Sequence, residues 1–227
     1  MNLEKEKPSG FILINKPAGP SSFAIVRKLR VITGIKKIGH AGTLDPLASG
    51  LLICAIGRDA TKKIDSFLKL DKEYSAEMEL GKISDTYDLE GKIETGDNRQ
   101  PTEEELKSIL QSFTGEIWQA PPIFSAKKVG GIAAYKLARR GETPKIPIQQ
   151  ITIYAIELIK YNYPKTEILV HCGSGTYIRS LVNDIGQKLG TGAIMTKLTR
   201  ISVGQFHLKN SININELTKS NWTDFLF

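Results

Sequence analysis

The residue of this sequence best placed to do chemistry is Asp45, an aspartate inside a glycine-rich loop at residues 39–52. Glycine lets the backbone adopt conformations that are closed to other residues and lets a ligand approach closely. Pro46 fixes the chain after the carboxylate and biases Asp45 away from a helical conformation. The pattern predicts a carboxylate displayed on a shaped loop ahead of an apolar strand at residues 51–56. Such a carboxylate could act as a nucleophile, and an ordinary Asp-Pro turn is the structural alternative.

Composition limits the class of protein. The chain has 227 residues, of which 41% are hydrophobic and 24% charged, as in an ordinary soluble globular protein. No apolar run approaches the ~20 residues that cross a bilayer, and the charged N-terminus does not resemble a signal peptide, so we expect a cytoplasmic protein without membrane contact. Cys54 and Cys172 are expected to be buried free thiols. Neither they nor the histidines show metal-ligand spacing, so we expect no metal.

Positive charge is concentrated in one segment. The net charge is +7, and residues 127–145 carry six basic side chains against one acidic side chain. This segment lies within an irregular stretch, residues 118–147, whose one regular piece is a predicted short helix at 133–140. A solvated loop is the ordinary interpretation, but long irregular segments in compact domains are often functional. The charge favours a polyanionic partner such as a nucleic acid.

The hydrophobic pattern predicts the elements that must position these groups. We expect Ser21-Ser22 to cap a helix that has Phe23, Val26 and Leu29 on its inward, apolar face and Gly34 at its end. Further helices are expected at about 59–70, after a capping box at 102–105, from Tyr177 to a stop at Gly190, and weakly at 212–227. Strands are expected at 10–15, 51–56, 72–81, 151–161, 167–172 and 194–206. Because strands and helices do not alternate steadily, we predict an α/β (α+β) fold with a large mixed, mainly antiparallel sheet flanked by helices.

Five segments occur in the order and spacing of the TruB-type tRNA pseudouridine synthases, and the sequence resembles that family over residues 10–218. They are residues 10–22 (GFILINKP, then Gly19 and Ser21-Ser22), the loop at 39–52, Lys72-Glu73-Tyr74, residues 175–181 (GTYIRSL) and residues 197–200 (KLTR). The resemblance implies a pseudouridine synthase fold with a catalytic domain at 1–200. It also implies that residues 118–147 are a basic, thumb-like insertion that closes on RNA. We expect residues 201–227 to form a short extension in place of a complete C-terminal PUA domain.

The resemblance also implies the reaction and the site. Uridine at position 55 in the T loop of tRNA would be flipped out and isomerised to pseudouridine, with Asp45 as nucleophile and without a cofactor. Arg179 would support the nucleophile, and Lys16 would be a structural residue or a phosphate contact. The paired carboxylates Asp85 and Asp88 would be structural or contact tRNA. The residues expected to bind the substrate are His40, Tyr74, Tyr177 and Leu198, and those expected to contact the RNA backbone are Lys136, Arg139 and Arg140.

Two other functions stay open at this point. One is a guide-RNA-dependent pseudouridine synthase subunit of the dyskerin kind, which shares the motif around Asp45. The other is a non-catalytic tRNA-binding protein or tRNA-folding chaperone. The basic insertion and the expected short C-terminus favour the stand-alone bacterial type. We therefore expect a monomer that acts on the T arm of tRNA and has no obligate protein partner.

Overall fold

The computed structural model describes residues 8–125 and 127–227. Its helices are α1 (Ser22–Thr33), α2 (Arg58–Lys62), α3 (Asp65–Leu68), α4 (Glu103–Gln111), α5 (Ala134–Ala138) and α6 (Ile178–Leu189), with 3-10 turns at Leu208–Asn210 and Trp222–Phe225. Its strands are β1 (Gly10–Lys16), β2 (Ile38–Ala41), β3 (Ser49–Ile56), β4 (Lys72–Leu80), β5 (Lys82–Ser84), β6 (Ile93–Thr95), β7 (Gly115–Gln119), β8 (Lys128–Val129), β9 (Ile132–Ala133), β10 (Gln149–Asn162), β11 (Lys165–Cys172), β12 (Ala193–Val203), β13 (Phe206–His207) and β14 (Ile212–Asn213).

The described residues divide into two compact units. Unit 1 contains the residues up to Glu73 together with 199–227, and unit 2 contains residues 74–198. The strand order in unit 1 is β14-β1-β3-β12, and β2 also pairs with β3. The strand order in unit 2 is β12-β4-β11-β10-β7, because the first half of β12 belongs to this unit. The predicted fold class, α/β with a large mixed, mainly antiparallel sheet, is confirmed.

Unit 1 is organised around β3, whose residues from Gly50 to Ile56 are all buried. β1 runs antiparallel to it in a register that starts at Gly10↔Ile56 and ends at Lys16↔Gly50. A strand with neighbours on both edges and both faces covered reads as a continuous apolar run, as the sequence of β3 does. The core cluster on this sheet consists of buried Ala41, Leu51, Ile53 and Val203, with half-buried aromatic and aliphatic side chains packed against it.

The start and end of α1 follow the prediction. The Ser21 hydroxyl accepts a hydrogen bond from the backbone N–H of Ala24, and Gly34 ends the helix with a φ of 68°. The inward orientation predicted for Phe23 is wrong, since its side chain is 56% exposed. The buried stripe is instead formed by Ser22, Ile25, Val26 and Leu29.

Two other element predictions in unit 1 are also wrong. The helix expected at 59–70 is two short helices, α2 and α3. The terminal helix expected at 212–227 is the short strand β14 followed by a 3-10 turn. β14 pairs in parallel with β1, so the sheet uses this segment as an edge strand. A short helix is marginally stable unless an apolar face packs against the protein, so pairing with β1 decides the conformation of this segment.

Unit 2 combines a long hairpin with two capped helices. β10 and β11 pair antiparallel, and β7 pairs antiparallel with the start of β10. The predicted capping box is confirmed, because the Thr102 hydroxyl accepts a hydrogen bond from the Glu105 N–H at the start of α4. The helix predicted to start at Tyr177 is α6, which begins one residue later, at Ile178, and ends at Gly190 with a φ of 75°.

The structure also bears on the predictions for the two cysteines and for membrane-spanning segments. Cys54 and Cys172 are buried free thiols, as predicted. Burial raises the pKa of the Cys54 thiol to about 12, so this thiol stays protonated and unreactive at neutral pH. None of the helices within 8–125 and 127–227 has both the length and the apolar character that crossing a membrane requires.

Candidate active site

Asp45 lies in unit 1, on the loop that connects β2 to β3, and its side chain is half-buried. The backbone of this loop is held at two points. The N–H of Ala48 donates to the carbonyl oxygen of Asp45 at 3.1 Å, and the N–H of Gly19 donates to the carbonyl oxygen of Pro46 at 2.8 Å. The carboxylate is therefore presented on a fixed turn, as predicted.

The residue before Asp45 is fixed by the first turn of α1. The Ser22 hydroxyl donates to the Leu44 carbonyl oxygen at 2.9 Å and accepts from the Leu44 N–H at 2.8 Å. Both partners are buried. One hydroxyl thus satisfies both backbone groups of Leu44, which would otherwise be buried without partners. This contact gives the second serine of the Ser21-Ser22 pair a role distinct from capping.

Lys16 lies at the end of β1 and its side chain is fully buried. Its ammonium group donates to the carbonyl oxygen of Ala48 at 2.6 Å and to that of Pro17 at 2.9 Å. Burial lowers the pKa of Lys16 to about 8, while the negative charge of Asp45 raises it and the positive charge of Arg200 lowers it. A buried ammonium bound to backbone carbonyls is not placed to contact an RNA phosphate. Of the two roles expected for Lys16, the structure therefore favours the structural role.

Arg200 is a residue to which the sequence analysis gave no role. Its side chain is 1% exposed, on the last part of β12. The guanidinium donates from Nε to the Leu51 carbonyl oxygen at 2.7 Å and from Nη2 to the Gly42 carbonyl oxygen at 3.1 Å. Gly42 and Leu51 lie on opposite sides of Asp45 in the chain. Arg200 therefore ties together both ends of the segment that carries Asp45.

Gly50 has to be glycine because it lies against the backbone of Arg200. A Cβ atom at position 50 would lie 2.4 Å from the Arg200 carbonyl oxygen and 2.6 Å from its nitrogen, and the φ of Gly50 is 106°. Any side chain here would push β3 and β12 apart and strain the backbone. For Gly50, the glycine of the sequence pattern is therefore a requirement of strand packing beside Arg200.

His40 lies on β2 opposite Cys54 of β3 and is half-buried. Burial lowers its pKa, the charge of Arg200 lowers it further, and a hydrogen bond with the backbone of Gly42 raises it. The imidazole is therefore neutral at pH 7. A neutral imidazole suits packing and hydrogen bonding to a ligand better than a permanent charge contact.

Tyr74 and Leu198 lie in unit 2 on neighbouring strands. Tyr74 is near the start of β4, Leu198 is in β12, and each is 9% exposed. Farther along these strands, the Thr196 hydroxyl donates to a carboxylate oxygen of Glu77 at 2.6 Å. The two predicted substrate-binding residues thus lie on neighbouring strands of one sheet.

Tyr177 is the residue that precedes α6, and its backbone is held by Gln119. The Tyr177 N–H donates to the Gln119 side-chain oxygen at 2.8 Å, and the Gln119 side-chain nitrogen donates to the Tyr177 carbonyl oxygen at 3.1 Å. Gln119 is fully buried at the end of β7. The Gln119 amide pairs with both backbone groups of Tyr177, as a neighbouring strand would, and so fixes the residue that precedes α6. A lone glutamine gives no sequence signal for this role.

Arg179 lies in the first turn of α6 with its side chain 7% exposed. Its Nη1 lies 3.5 Å from a carboxylate oxygen of Asp88, and its Nη2 donates to the Phe124 carbonyl oxygen at 2.8 Å. The other oxygen of Asp88 accepts from the Thr86 hydroxyl at 2.6 Å and from the Glu90 N–H at 3.0 Å. The Asp88 carboxylate is therefore held in place, and it orients Arg179.

The paired carboxylates have different roles. Asp88 is 1% exposed and structural, as one of the two sequence-based alternatives held. Asp85 is exposed and accepts a hydrogen bond from the Lys92 N–H at 2.9 Å across the turn. Among the residues that the structure describes, no group of three or more His, Cys, Asp or Glu side chains is placed to hold a metal ion.

The basic insertion contains α5, which is shorter than the helix predicted at 133–140. Ala134 and Leu137 are its buried residues. Lys136, Arg139 and Arg140, which we call the insertion cations, are exposed. Within 8–125 and 127–227 none of the three forms a salt bridge, and the Cζ atom of Arg139 lies 5.6 Å from the centroid of the Tyr135 ring.

Comparison with known sequences places the chain in a family. The profile described as "TruB family pseudouridylate synthase (N terminal domain)" matches residues 30–178, and the profile described as "tRNA pseudouridylate synthase B C-terminal domain" matches residues 179–224. The chain is 48% identical over 208 residues to the tRNA pseudouridine synthase B of Protochlamydia amoebophila (strain UWE25), covering 92% of this chain and 79% of that protein. It is 43% identical over 225 residues to the tRNA pseudouridine synthase B of Chlamydia muridarum (strain MoPn / Nigg), covering 99% of this chain and 93% of that protein.

Solved structures agree. A chain in the crystal structure of a Cbf5-Nop10-Gar1 complex superposes with a TM-score of 0.73 at 30% identity, over 92% of this chain and 53% of that chain. This chain therefore spans about half the length of that structural relative. Sequence matches that extend over most of the chain, together with the shared fold, show that this protein belongs to the TruB family of pseudouridylate synthases.

Proposed function

We propose that this protein converts uridine to pseudouridine in tRNA, at position 55 of the T loop, with Asp45 as the nucleophile. The observation that carries the proposal is the half-buried carboxylate of Asp45 on a loop fixed by Ser22, Lys16 and Arg200. The family membership and the tRNA pseudouridine synthase B relatives support the reaction and the class of substrate. The position in tRNA and the residue roles are inferences from the resemblance and the geometry.

The reaction is an isomerisation whose atoms balance without a co-substrate. The bond between N1 of uracil and C1′ of ribose breaks, the base turns, and a bond forms between C5 and C1′. C5 then loses a proton and N1 gains one, so that product and substrate have the same composition. The Asp45 carboxylate would form a transient covalent bond with either the uracil ring or C1′ and would be released at the end. No cofactor is part of this proposal.

The base must leave its stack to reach Asp45, which costs a few kcal/mol. We propose that Tyr74 stacks on the flipped uracil and offers its hydroxyl for proton transfer, while Tyr177, Leu198 and neutral His40 contact the substrate. We retain Arg179 as the support of the nucleophile on the strength of the resemblance. Its orientation by Asp88 in unit 2 is compatible with that role.

We further propose that the insertion cations bind the RNA backbone and that the enzyme works as a monomer without a guide RNA or protein partner. The alternative is a guide-dependent subunit. The likeness to a chain from a Cbf5-Nop10-Gar1 complex, an assembly of several proteins, favours that alternative at 30% identity, whereas relatives named tRNA pseudouridine synthase B reach 48% identity. We therefore prefer the stand-alone enzyme.

The deciding experiment is pseudouridine mapping at single-nucleotide resolution on an unmodified tRNA transcript incubated with the pure protein alone. We expect modification at position 55, and none in a transcript with cytidine at that position. Activity that requires an added guide RNA or protein would support the guide-dependent subunit instead. Tight tRNA binding without any product would support the chaperone.

The matched variant pair is Asp45→Asn and Asp59→Asn. Asp59 lies on α2 with its side chain 79% exposed, so the same chemical change there should leave activity intact. Asp45→Asn is nearly isosteric but cannot act as the nucleophile, and it should abolish product while tRNA affinity changes by no more than a few fold. Product from a pure preparation of the Asp45→Asn protein would exclude Asp45 as the nucleophile.

A further inference from the structure

A second strongly basic segment lies in unit 1, apart from the insertion. Residues 21–44 carry five basic side chains and no acidic side chain. The net charge of this segment equals that of residues 127–145. Three of its basic side chains lie on α1, and the other two follow the end of the helix. The basic residues are Arg27, Lys28, Arg30, Lys36 and Lys37.

Helix geometry gathers part of this charge on one face of α1. The buried stripe is centred on Ile25 and Leu29. At 100° per residue, Phe23, Arg27 and Arg30 lie together on a different side of the helix. Phe23 is 56% exposed and Arg27 is exposed, whereas Arg30 is half-buried. We call these three residues the α1 basic face.

The aromatic ring at the centre of this face organises the two cations. The Cζ atom of Arg27 lies 5.8 Å from the centroid of the Phe23 ring, and that of Arg30 lies 5.6 Å from it. Both guanidinium groups are within the range of a cation–π contact. A guanidinium held by a ring loses less side-chain entropy when it binds a ligand than a freely moving one. The exposed phenylalanine is thus explained as a platform for two arginines.

The charge of this face is not neutralised by the protein. Exposed lysines on other helices pair with neighbouring carboxylates, such as Lys62 with Asp59 and Lys107 with Glu103. In the part of the chain that the structure describes, neither Arg27 nor Arg30 forms a salt bridge. The Nε atom of Arg30 is buried and has no hydrogen-bond partner among the described residues. The buried Nε of Arg30 is not itself accessible to a ligand. Because no described carboxylate neutralises Arg27 or Arg30, their guanidinium charges are available to an external anion.

The α1 basic face also begins next to the loop that carries Asp45. Phe23 directly follows Ser22, whose hydroxyl holds both backbone groups of Leu44, the neighbour of Asp45. A polyanion bound along α1 would therefore start close to the point at which the chemistry takes place. An electrostatic contact at such a place can fix the register of a nucleic acid without reading its sequence.

We propose that the α1 basic face binds the phosphate backbone of the substrate tRNA, with Arg27 and Arg30 each contacting a phosphate and Phe23 holding both guanidiniums in place. The inference rests on the proposed function only in taking tRNA as the polyanion. Arginine forks match phosphate oxygens in pairs, which favours a nucleic acid backbone over a generic anion. The absence of acidic residues from 21–44 suits a partner of uniform negative charge.

The test measures binding of the tRNA transcript to the full chain by fluorescence anisotropy between 50 and 300 mM salt. Each lost phosphate contact should lower the log–log salt slope by about 0.7 to 0.9. Arg27→Gln should therefore lower the slope by about that amount, and Arg27→Gln with Arg30→Gln by about twice as much, with Kd raised about tenfold. Lys62→Gln with Lys107→Gln changes the net charge equally and should leave slope and Kd unchanged.

The single variant Arg27→Gln controls for misfolding, because the Arg27 side chain is exposed whereas that of Arg30 is half-buried. A single variant with unchanged slope and Kd, measured on protein with a wild-type melting curve, overturns the inference. A wild-type chain that does not bind tRNA also overturns it. A wild-type chain that binds through these arginines but forms no pseudouridine supports the inference and contradicts the proposed function. Equal losses in the Lys62/Lys107 control would show only a net-charge effect and would likewise contradict it.

Discussion

Replacing Arg200 by lysine tests whether Arg200 positions Asp45 for catalysis or only stabilises unit 1. The guanidinium of Arg200 reaches two carbonyl oxygens, those of Leu51 and Gly42, at 2.7 and 3.1 Å. The single ammonium of a lysine keeps the charge but cannot reproduce the guanidinium fork, so at least one charge-assisted hydrogen bond is lost. Such a bond contributes about 1.5–3 kcal/mol. For a chain of this size, the expected fall in Tm is about 3–12 °C.

The effect on catalysis should exceed the effect on binding. Without the tie to Gly42, the loop that carries Asp45 is less well fixed, and a displacement of about 1 Å can cost about a hundredfold in rate. We expect Arg200→Lys to lower the single-turnover rate of pseudouridine formation about tenfold to a hundredfold, with the Kd for tRNA within about threefold of wild type. The assay is single-turnover mapping at saturating enzyme, beside a thermal melt. Arg58→Lys, at the exposed start of α2, is the matched control.

Three results would refute this reasoning. A lower Tm with an unchanged single-turnover rate would mean that Arg200 stabilises unit 1 but does not position Asp45. An unchanged Tm would mean that the two carbonyl contacts contribute nothing measurable. A loss of tRNA affinity equal to the loss of rate would place Arg200 in substrate binding instead.

Three further predictions follow from the proposed site. Tyr74→Phe keeps the ring and loses the hydroxyl, so the single-turnover rate should fall at least about tenfold with little change in Kd; a wild-type rate would exclude proton transfer by this hydroxyl. Asp88→Asn weakens the pair that orients Arg179 and should reduce the rate, whereas Asp85→Asn should not, and equal rates for both would contradict the positioning role. Replacing the insertion cations by glutamine should lower the salt slope of tRNA binding by about 2.1–2.7, and an unchanged slope would mean that they face solvent only.

The sequence was sufficient for features that depend on local chemistry. The Asp45 loop, the Ser21 cap, the Thr102 cap and the glycine ends of α1 and α6 follow from side-chain hydrogen bonding and from the conformations that only glycine adopts easily. These signals involve residues a few positions apart. Tertiary packing has little opportunity to override them.

The orientation of Phe23 could not be predicted in this way. Its hydrophobicity suggested core, but the helix can bury only one stripe, and Ile25 with Leu29 sets where that stripe lies. The helix predicted at 212–227 is wrong for a different reason. The conformation of this segment depends on pairing with β1, which is distant in sequence. Both errors arise where long-range packing decides between locally acceptable alternatives.

The buried polar residues were the hardest part of the site to predict. Lys16, Gln119 and Arg200 are types that are rarely buried, so composition and periodicity assign them to the surface. Each is buried because it satisfies backbone groups that no strand or helix satisfies. Lys16 and Arg200 do so at the two sides of the Asp45 loop, and Gln119 does so at the entry to α6.

Two buried cations beside one carboxylate link the stability of unit 1 to its proposed chemistry. Burying an ammonium or a guanidinium is costly unless the group is hydrogen-bonded and faces an opposite charge. Lys16 and Arg200 meet the first condition through loop carbonyls. The pKa of Lys16 is lowered to about 8, chiefly by burial, although the charge of Asp45 acts in the opposite direction. The same contacts that allow these cations to be buried also fix the backbone that presents the carboxylate. A loop held only by neutral groups could have the same shape, but it would lack the charge-assisted hydrogen bonds that Lys16 and Arg200 donate to the loop carbonyls.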